Sequence, residues 1–198
     1  MSLLFPFWIA MTLMSLPFQA TTAALNSIPA EQGVSQSQPP VTARYVFPVQ
    51  PSGVATYGRW HHDYPAADIF CPVGSNFVAP TSGTVDFVSY TDTWSPKTDN
   101  PAVRGGLSVA IIGDDGIRYY GSHLSAIAKG ITPGVYVHAG DLLGTTGKTG
   151  DARFTAAHLH FGISHPTTPT DWKTRRGEVW PYVYLRAWEK HLAMKPKV

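Results

Sequence analysis

Five of the eight histidines fall in three short segments rich in polar groups, at residues 61–68, 122–125 and 157–161. Residues two apart in a strand face the same side, so His158 and His160 are predicted to project side by side while Leu159 points into a core. One histidine of the first segment, Asp68 and one histidine of the pair would supply the three protein ligands of a catalytic zinc site. The remaining histidines would be free to move protons or to stabilise an oxyanion.

The elements that must position these groups begin near Arg44. Short segments rich in Val, Ile, Phe and Tyr, separated by Gly, Pro or Asp turns, predict strands. Near the end, Tyr184, Leu185, Trp188 and Leu192 recur at helical spacing after Pro181 and predict one helix. The sequence therefore predicts a mainly β fold with one C-terminal helix. The predicted strands span residues 77–79, 83–90, 107–112, 117–121, 134–137 and 159–164.

The chain before Arg44 divides into two parts. The first 24 residues contain no Asp, Glu, Lys or Arg, and an apolar run at residues 3–18 precedes small residues. This pattern predicts a signal peptide at residues 1–24, cleaved after Ala20 or kept as a short membrane anchor. Residues 25–43, rich in Ser, Gln and Pro, predict a disordered linker, and residues 44–198 a single domain. We therefore expect an exported protein of the periplasm, the cell envelope or the extracellular space.

Composition excludes several classes of protein. The net charge is only +2 and no Lys/Arg run occurs, so a nucleic-acid partner is not expected. The single cysteine, Cys71, excludes an intramolecular disulfide and a cysteine-rich zinc site. No His-Glu-x-x-His motif is present. We further expect a monomer with no stable membrane span once the signal has been removed.

Five segments of the chain agree in order and spacing with the motifs of a known family, at residues 62–75, 78–85, 120–125, 140–147 and 158–161. On these motifs the chain resembles, over about residues 54–164, the lysostaphin and LytM-type zinc peptidases, known as family M23. The resemblance implies an antiparallel β-sheet core of the LytM/lysostaphin type, which is duplicated-hybrid-like, and one Zn²⁺ per chain.

The resemblance also implies roles for individual residues. It assigns His62, Asp68 and His160 to the metal, and it places His123 and His158 against the reacting carbonyl.

The first motif departs from the family pattern. The family places three residues between its first histidine and the aspartate, with a glycine in the middle, whereas five residues separate His62 from Asp68. His62 is preferred because a bulge at Asp63-Tyr64-Pro65 would accommodate the extra length. His61 remains the alternative, and Asp63 is a third and poorer candidate.

The function implied by the resemblance is that of a secreted zinc metalloendopeptidase. It would hydrolyse peptide bonds in bacterial cell-wall peptidoglycan, in stem or cross-bridge peptides, with zinc-activated water and histidines that handle the proton and the oxyanion. One alternative is a non-catalytic LytM-like envelope module that binds wall or activates another hydrolase, although such modules usually lack the zinc ligands. A carrier domain modified at Lys148 is a weaker alternative.

Overall fold

The structure of the protein is a computed structural model, and it describes residues 44–198. The predicted signal peptide and linker lie outside these residues. The described part forms one antiparallel β-sheet of ten strands with one helix of eight residues near its end. This architecture confirms the predicted fold class.

The strands and helices have the following bounds. The strands are β1 (Val49–Gln50), β2 (Thr56–Tyr57), β3 (Ala67–Phe70), β4 (Asn76–Val78), β5 (Gly83–Ser89), β6 (Leu107–Gly113), β7 (Arg118–Ile127), β8 (Tyr136–Val137), β9 (Leu142–Thr146) and β10 (His158–Ser164). The helices are α1 (Trp172–Arg175) and α2 (Tyr182–Glu189), and short 3-10 helices lie at Ser52–Val54, Pro101–Val103 and Gly150–Phe154.

The predicted strands correspond to β4, β5, β6, β7, β8 and β10. The sequence patterns did not predict β1, β2, β3 or β9, because the first two contain only two residues each and the others carry an internal Asp or Gly. The predicted C-terminal helix is α2, which follows Pro181 and buries Leu185 and Trp188. Among the described residues, no helix has the length and apolar character needed to cross a membrane.

Strand β7 is the centre of the sheet and changes partner along its length. Its first half, from Arg118 to Ser122, pairs with β10, and its second half pairs with β9 from Leu124 onward. Beyond β10 the sheet continues to β3 and then to β2. The change of partner falls at His123, which lies between the two pairings.

Strand β10 has one apolar face and one polar face. Leu159, Phe161 and Ile163 are fully buried in the core, where each contributes about 1.5–3 kcal/mol relative to an exposed side chain. The alternate positions place His158 and His160 on the opposite face. A slip of one residue would exchange the two faces, so core packing fixes the direction in which the two histidines point.

Candidate metal centre and active site

The pairing of β3 with β10 brings Asp68 to the histidine pair. Asp68 and His160 are direct partners across the two strands, and Nδ1 of His160 lies 3.1 Å from Oδ1 of Asp68. Nε2 of His158 lies 3.8 Å from the same oxygen. Two of the histidines singled out by the sequence, His158 and His160, therefore converge on the carboxylate of Asp68, although 92 positions separate Asp68 from His160 in the chain.

His61 and His62 both reach Asp68 from the loop between β2 and β3, but they differ in exposure. Nε2 of His61 lies 3.7 Å from Oδ1 of Asp68 and its side chain is 5% exposed. Nε2 of His62 lies 3.8 Å from Oδ2 and its side chain is 79% exposed. His61, His62 and Asp68 each offer one potential ligand atom, and these three atoms lie within 4.8 Å of one another. The sequence preference for His62 stays a prediction, while the burial of His61 favours His61.

The protonation of His160 tests whether these residues fit a metal ion. Its Nε2 lies 3.0 Å from the carbonyl oxygen of Arg176, which can only accept, so Nε2 carries the hydrogen. In a neutral imidazole, Nδ1 then presents a lone pair to the carboxylate of Asp68, and two lone pairs at this distance repel unless a proton or a metal cation compensates them. The contact therefore fits a cation.

The chemistry and spacing of the donor atoms also agree with a metal. Imidazole nitrogens with one carboxylate are the donors that zinc takes in catalytic sites, with bonds of about 2.0–2.2 Å. Ligands held at that distance in a tetrahedral arrangement lie about 3.3–3.6 Å apart, and the contacts of His61, His62 and His160 with Asp68 lie between 3.1 and 3.8 Å. The residues fit Zn²⁺.

The other two predicted site residues, His123 and His158, lie side by side with ring centroids 4.8 Å apart. Nδ1 of His123 donates to the carbonyl oxygen of Thr149 at 2.9 Å, and Nδ1 of His158 donates to that of Ala156 at 2.8 Å. Because a carbonyl only accepts, both Nδ1 atoms carry hydrogen and both Nε2 atoms carry a lone pair in the neutral ring. Each histidine is thus set up to accept a proton at Nε2.

His123 holds an unusual backbone conformation. Its φ is +64°, in the left-handed region that costs a non-glycine residue about 1–3 kcal/mol. Its N–H donates to the carbonyl oxygen of Gly105 at 2.8 Å, and its ring is held by Thr149. Backbone and side-chain contacts together therefore keep His123 in place where β7 changes partner.

Burial and neighbouring groups set the charges of the site. Burial, with repulsion from His160 and His158, lowers the pKa of His123 to about 3. Burial, with repulsion from His160, lowers the pKa of His61 to about 4. Burial alone would raise the pKa of Asp68, but the hydrogen bond and charge of His160 and the other histidines outweigh it and hold the pKa well below its usual range. Near neutral pH, His61 and His123 are therefore neutral and Asp68 is ionised, as metal binding and proton transfer require.

Loops for which the sequence predicted no definite role complete the cleft around this centre. The connection between β5 and β6 contributes Arg104. The segment after Thr149 contributes Asp151, whose Oδ1 lies 3.9 Å from Nε2 of His123. Tyr64, to which the motifs assign no role, has its hydroxyl 3.5 Å from Nε2 of His160. Irregular loops carry no periodicity, so nearness to a motif was the only available signal for these residues.

The motifs that build this site are also matched by the model of a known protein family. The model of peptidase family M23 matches residues 62–172. The chain belongs to peptidase family M23, as the resemblance of its motifs predicted.

Individual relatives are more distant. The chain is 33% identical over 98 residues to the L-Ala–D-Glu endopeptidase of Bacillus subtilis, and the alignment covers 47% of this chain and 28% of that protein. The chain thus spans less than a third of that relative's length. The structure of lysostaphin from Staphylococcus simulans matches with 28% identity and a TM-score of 0.51, over 68% of this chain and 49% of that one. A Ruminococcus gnavus protein assigned as glycyl-glycine endopeptidase lytM shares the fold, with 23% identity and a TM-score of 0.57 over 76% and 62% of the two chains.

Proposed function

We propose that this chain is an exported zinc endopeptidase that hydrolyses peptide bonds in bacterial peptidoglycan. Family membership supports a peptidase, and the similarity to an L-Ala–D-Glu endopeptidase and to lysostaphin supports a cell-wall peptide as the substrate. The observation that carries catalysis, rather than wall binding alone, is the matched orientation of His123 and His158. A binding module would have no need for two buried imidazoles with free Nε2 atoms beside a metal-ligand set.

The proposed zinc ligands are Asp68 and His160, together with His62 or His61. When bound, zinc would supply a Lewis acid that polarises the substrate carbonyl and acidifies a water molecule. His123 or His158 would accept a proton from the attacking water at Nε2, because its Nδ1 hydrogen is already committed to a backbone carbonyl. The imidazolium formed is then a charged donor for the oxygen that gains negative charge, and later for the leaving amine.

Digestion of purified peptidoglycan, followed by mass analysis of the fragments, tests this function. We expect new amino groups from cleaved peptide bonds, loss of the activity with a chelator, and recovery when zinc is restored. Protein that carries zinc and binds wall but releases no amino groups between about pH 6 and 9, a range that brackets the ionisation of zinc-activated water, would instead support the non-catalytic envelope module.

A matched pair of variants distinguishes the two candidates for the remaining ligand. We expect His61→Ala to lose zinc and His62→Ala to retain most of it, because the side chain of His61 is enclosed beside Asp68 and His160 while that of His62 is 79% exposed. The measurement is zinc content after dialysis against a weak chelator. Loss of zinc in His62→Ala alone would restore the assignment made from the sequence.

A further inference from the structure

Three arginines line the cleft, and only two of them are engaged by hydrogen bonds or ion pairs. Arg104 forms an ion pair with Asp99 through two nitrogens. Arg175 is buried and donates to a backbone carbonyl. The guanidinium of Arg176 has no carboxylate oxygen within 4.0 Å and no hydrogen-bond acceptor among residues 44–198. Arg176 therefore brings an unpaired positive charge to the wall of the cleft.

Aromatic rings hold this guanidinium in place. Its Cζ lies 3.8 Å from the centroid of the Tyr64 ring and 5.2 Å from that of Trp172. Contact with the face of a ring occupies the flat side of a guanidinium and leaves its N–H groups pointing outward in the plane. Such a fork matches a carboxylate in a bidentate arrangement, and holding it in advance reduces the entropy lost on binding.

The position of Arg176 relative to the reacting centre is fixed by its own backbone. Its carbonyl oxygen accepts the hydrogen bond from Nε2 of His160. This approach requires Gly162 on β10, because a Cβ there would lie 2.4 Å from the same carbonyl oxygen. The backbone of Arg176 therefore contacts a proposed metal ligand, and its side chain lines the same cleft as Asp68 and His160.

We propose that Arg176 determines specificity by binding a free carboxylate on the substrate residue next to the scissile bond. The protein then prefers acidic peptides, such as one with a D-Glu residue whose second carboxylate is free, over peptides in which that carboxylate is amidated or absent. The inference rests on the proposed function, since it names the substrate chemistry of the same cleft.

Mass analysis of a wall digest first locates the bond that is cleaved. The test then compares two synthetic stem peptides that differ only in whether the residue next to that bond carries a carboxylate or a carboxamide. We expect wild-type kcat/KM to be about 10- to 100-fold higher for the acid, the range for a charge-assisted bidentate contact. Arg176→Gln should bring the ratio close to one. Arg176→Lys should give an intermediate ratio, because it keeps the charge but loses the fork.

Arg104→Gln is the matched control, because it removes a cleft arginine that is already paired with Asp99; it should keep the wild-type ratio. Equal wild-type rates for the two peptides, or an unchanged ratio in Arg176→Gln, would overturn the inference and leave the proposed function standing. If the protein cleaves neither peptide and also fails to digest wall, the proposed function is overturned. Calorimetric binding of the two intact peptides would then still decide the role of Arg176. Zinc content and unfolding temperature, measured for each variant, distinguish a structural effect from lost recognition of the substrate. If Arg176→Gln does not fold, the comparison of the two peptides is made with Arg176→Lys instead.

Discussion

Replacing His158 with alanine is expected to lower peptide-bond hydrolysis by a factor on the order of 10²–10⁴, the usual contribution of one general acid/base or oxyanion partner. The variant should keep its zinc, because the proposed ligands Asp68 and His160 remain in contact with each other. His123→Ala should behave in the same way, since its Nε2 is equally free. The measurement is the initial rate of amino-group release, with zinc content determined on the same samples.

His138→Ala is the control for this experiment, because His138 lies outside the cleft; it should hydrolyse wall at the wild-type rate. A His158→Ala protein with undiminished activity would remove His158 from the mechanism. Loss of zinc together with activity would make His158 a metal ligand and would overturn the present division of roles within the His-Leu-His pair.

Asp68→Asn is expected to abolish zinc binding and hydrolysis together. The carboxylate of Asp68 lies within 3.8 Å of four histidine side chains, and it is the single anion that they share. The amide has the same shape but no charge, so the four imidazoles lose the group that offsets the charge of a cation. We expect zinc affinity to fall by more than about 100-fold, since losing a group that merely supports a metal ligand already costs about 10–100-fold.

The comparison variant is Asp63→Asn, which removes a neighbouring carboxylate that is 70% exposed and lies 3.7 Å from His61 and 3.9 Å from His62. It should retain both zinc and activity. Equilibrium dialysis against a competing chelator gives the affinity of each protein. If Asp68→Asn bound zinc as tightly as the wild type, Asp68 would not be a ligand.

Strand β10 shows what the sequence could predict. Its alternation of histidines with apolar residues is a local pattern, and the burial of Leu159 and Phe161 matches it. The partner strand β3 could not be predicted in the same way, because it has four residues and one of them is Asp68. Its pairing with β10 depends on contacts between distant parts of the chain, which no local window contains.

The parts of the cleft that are built from loops were even harder to predict from the sequence. His61 and His62 are adjacent in the sequence and chemically identical, so only their different burial separates them. Arg176 lies in the irregular segment between α1 and α2, where no periodic pattern marks a site residue. Its carbonyl reaches His160 because Gly162 leaves room on the face of β10, a steric relation between segments that hydrophobic patterns do not encode.

The left-handed backbone of His123 has a consequence for engineering this protein. Glycine adopts a φ of this kind without the cost of about 1–3 kcal/mol that other residues incur, so the residue best suited to the backbone here is not the residue that suits the chemistry. A screen for thermostability that reads only the unfolding temperature would favour glycine at this position and discard the imidazole. Selection for heat resistance in this chain should therefore be run with an activity measurement, because stability and turnover make opposite demands on one residue.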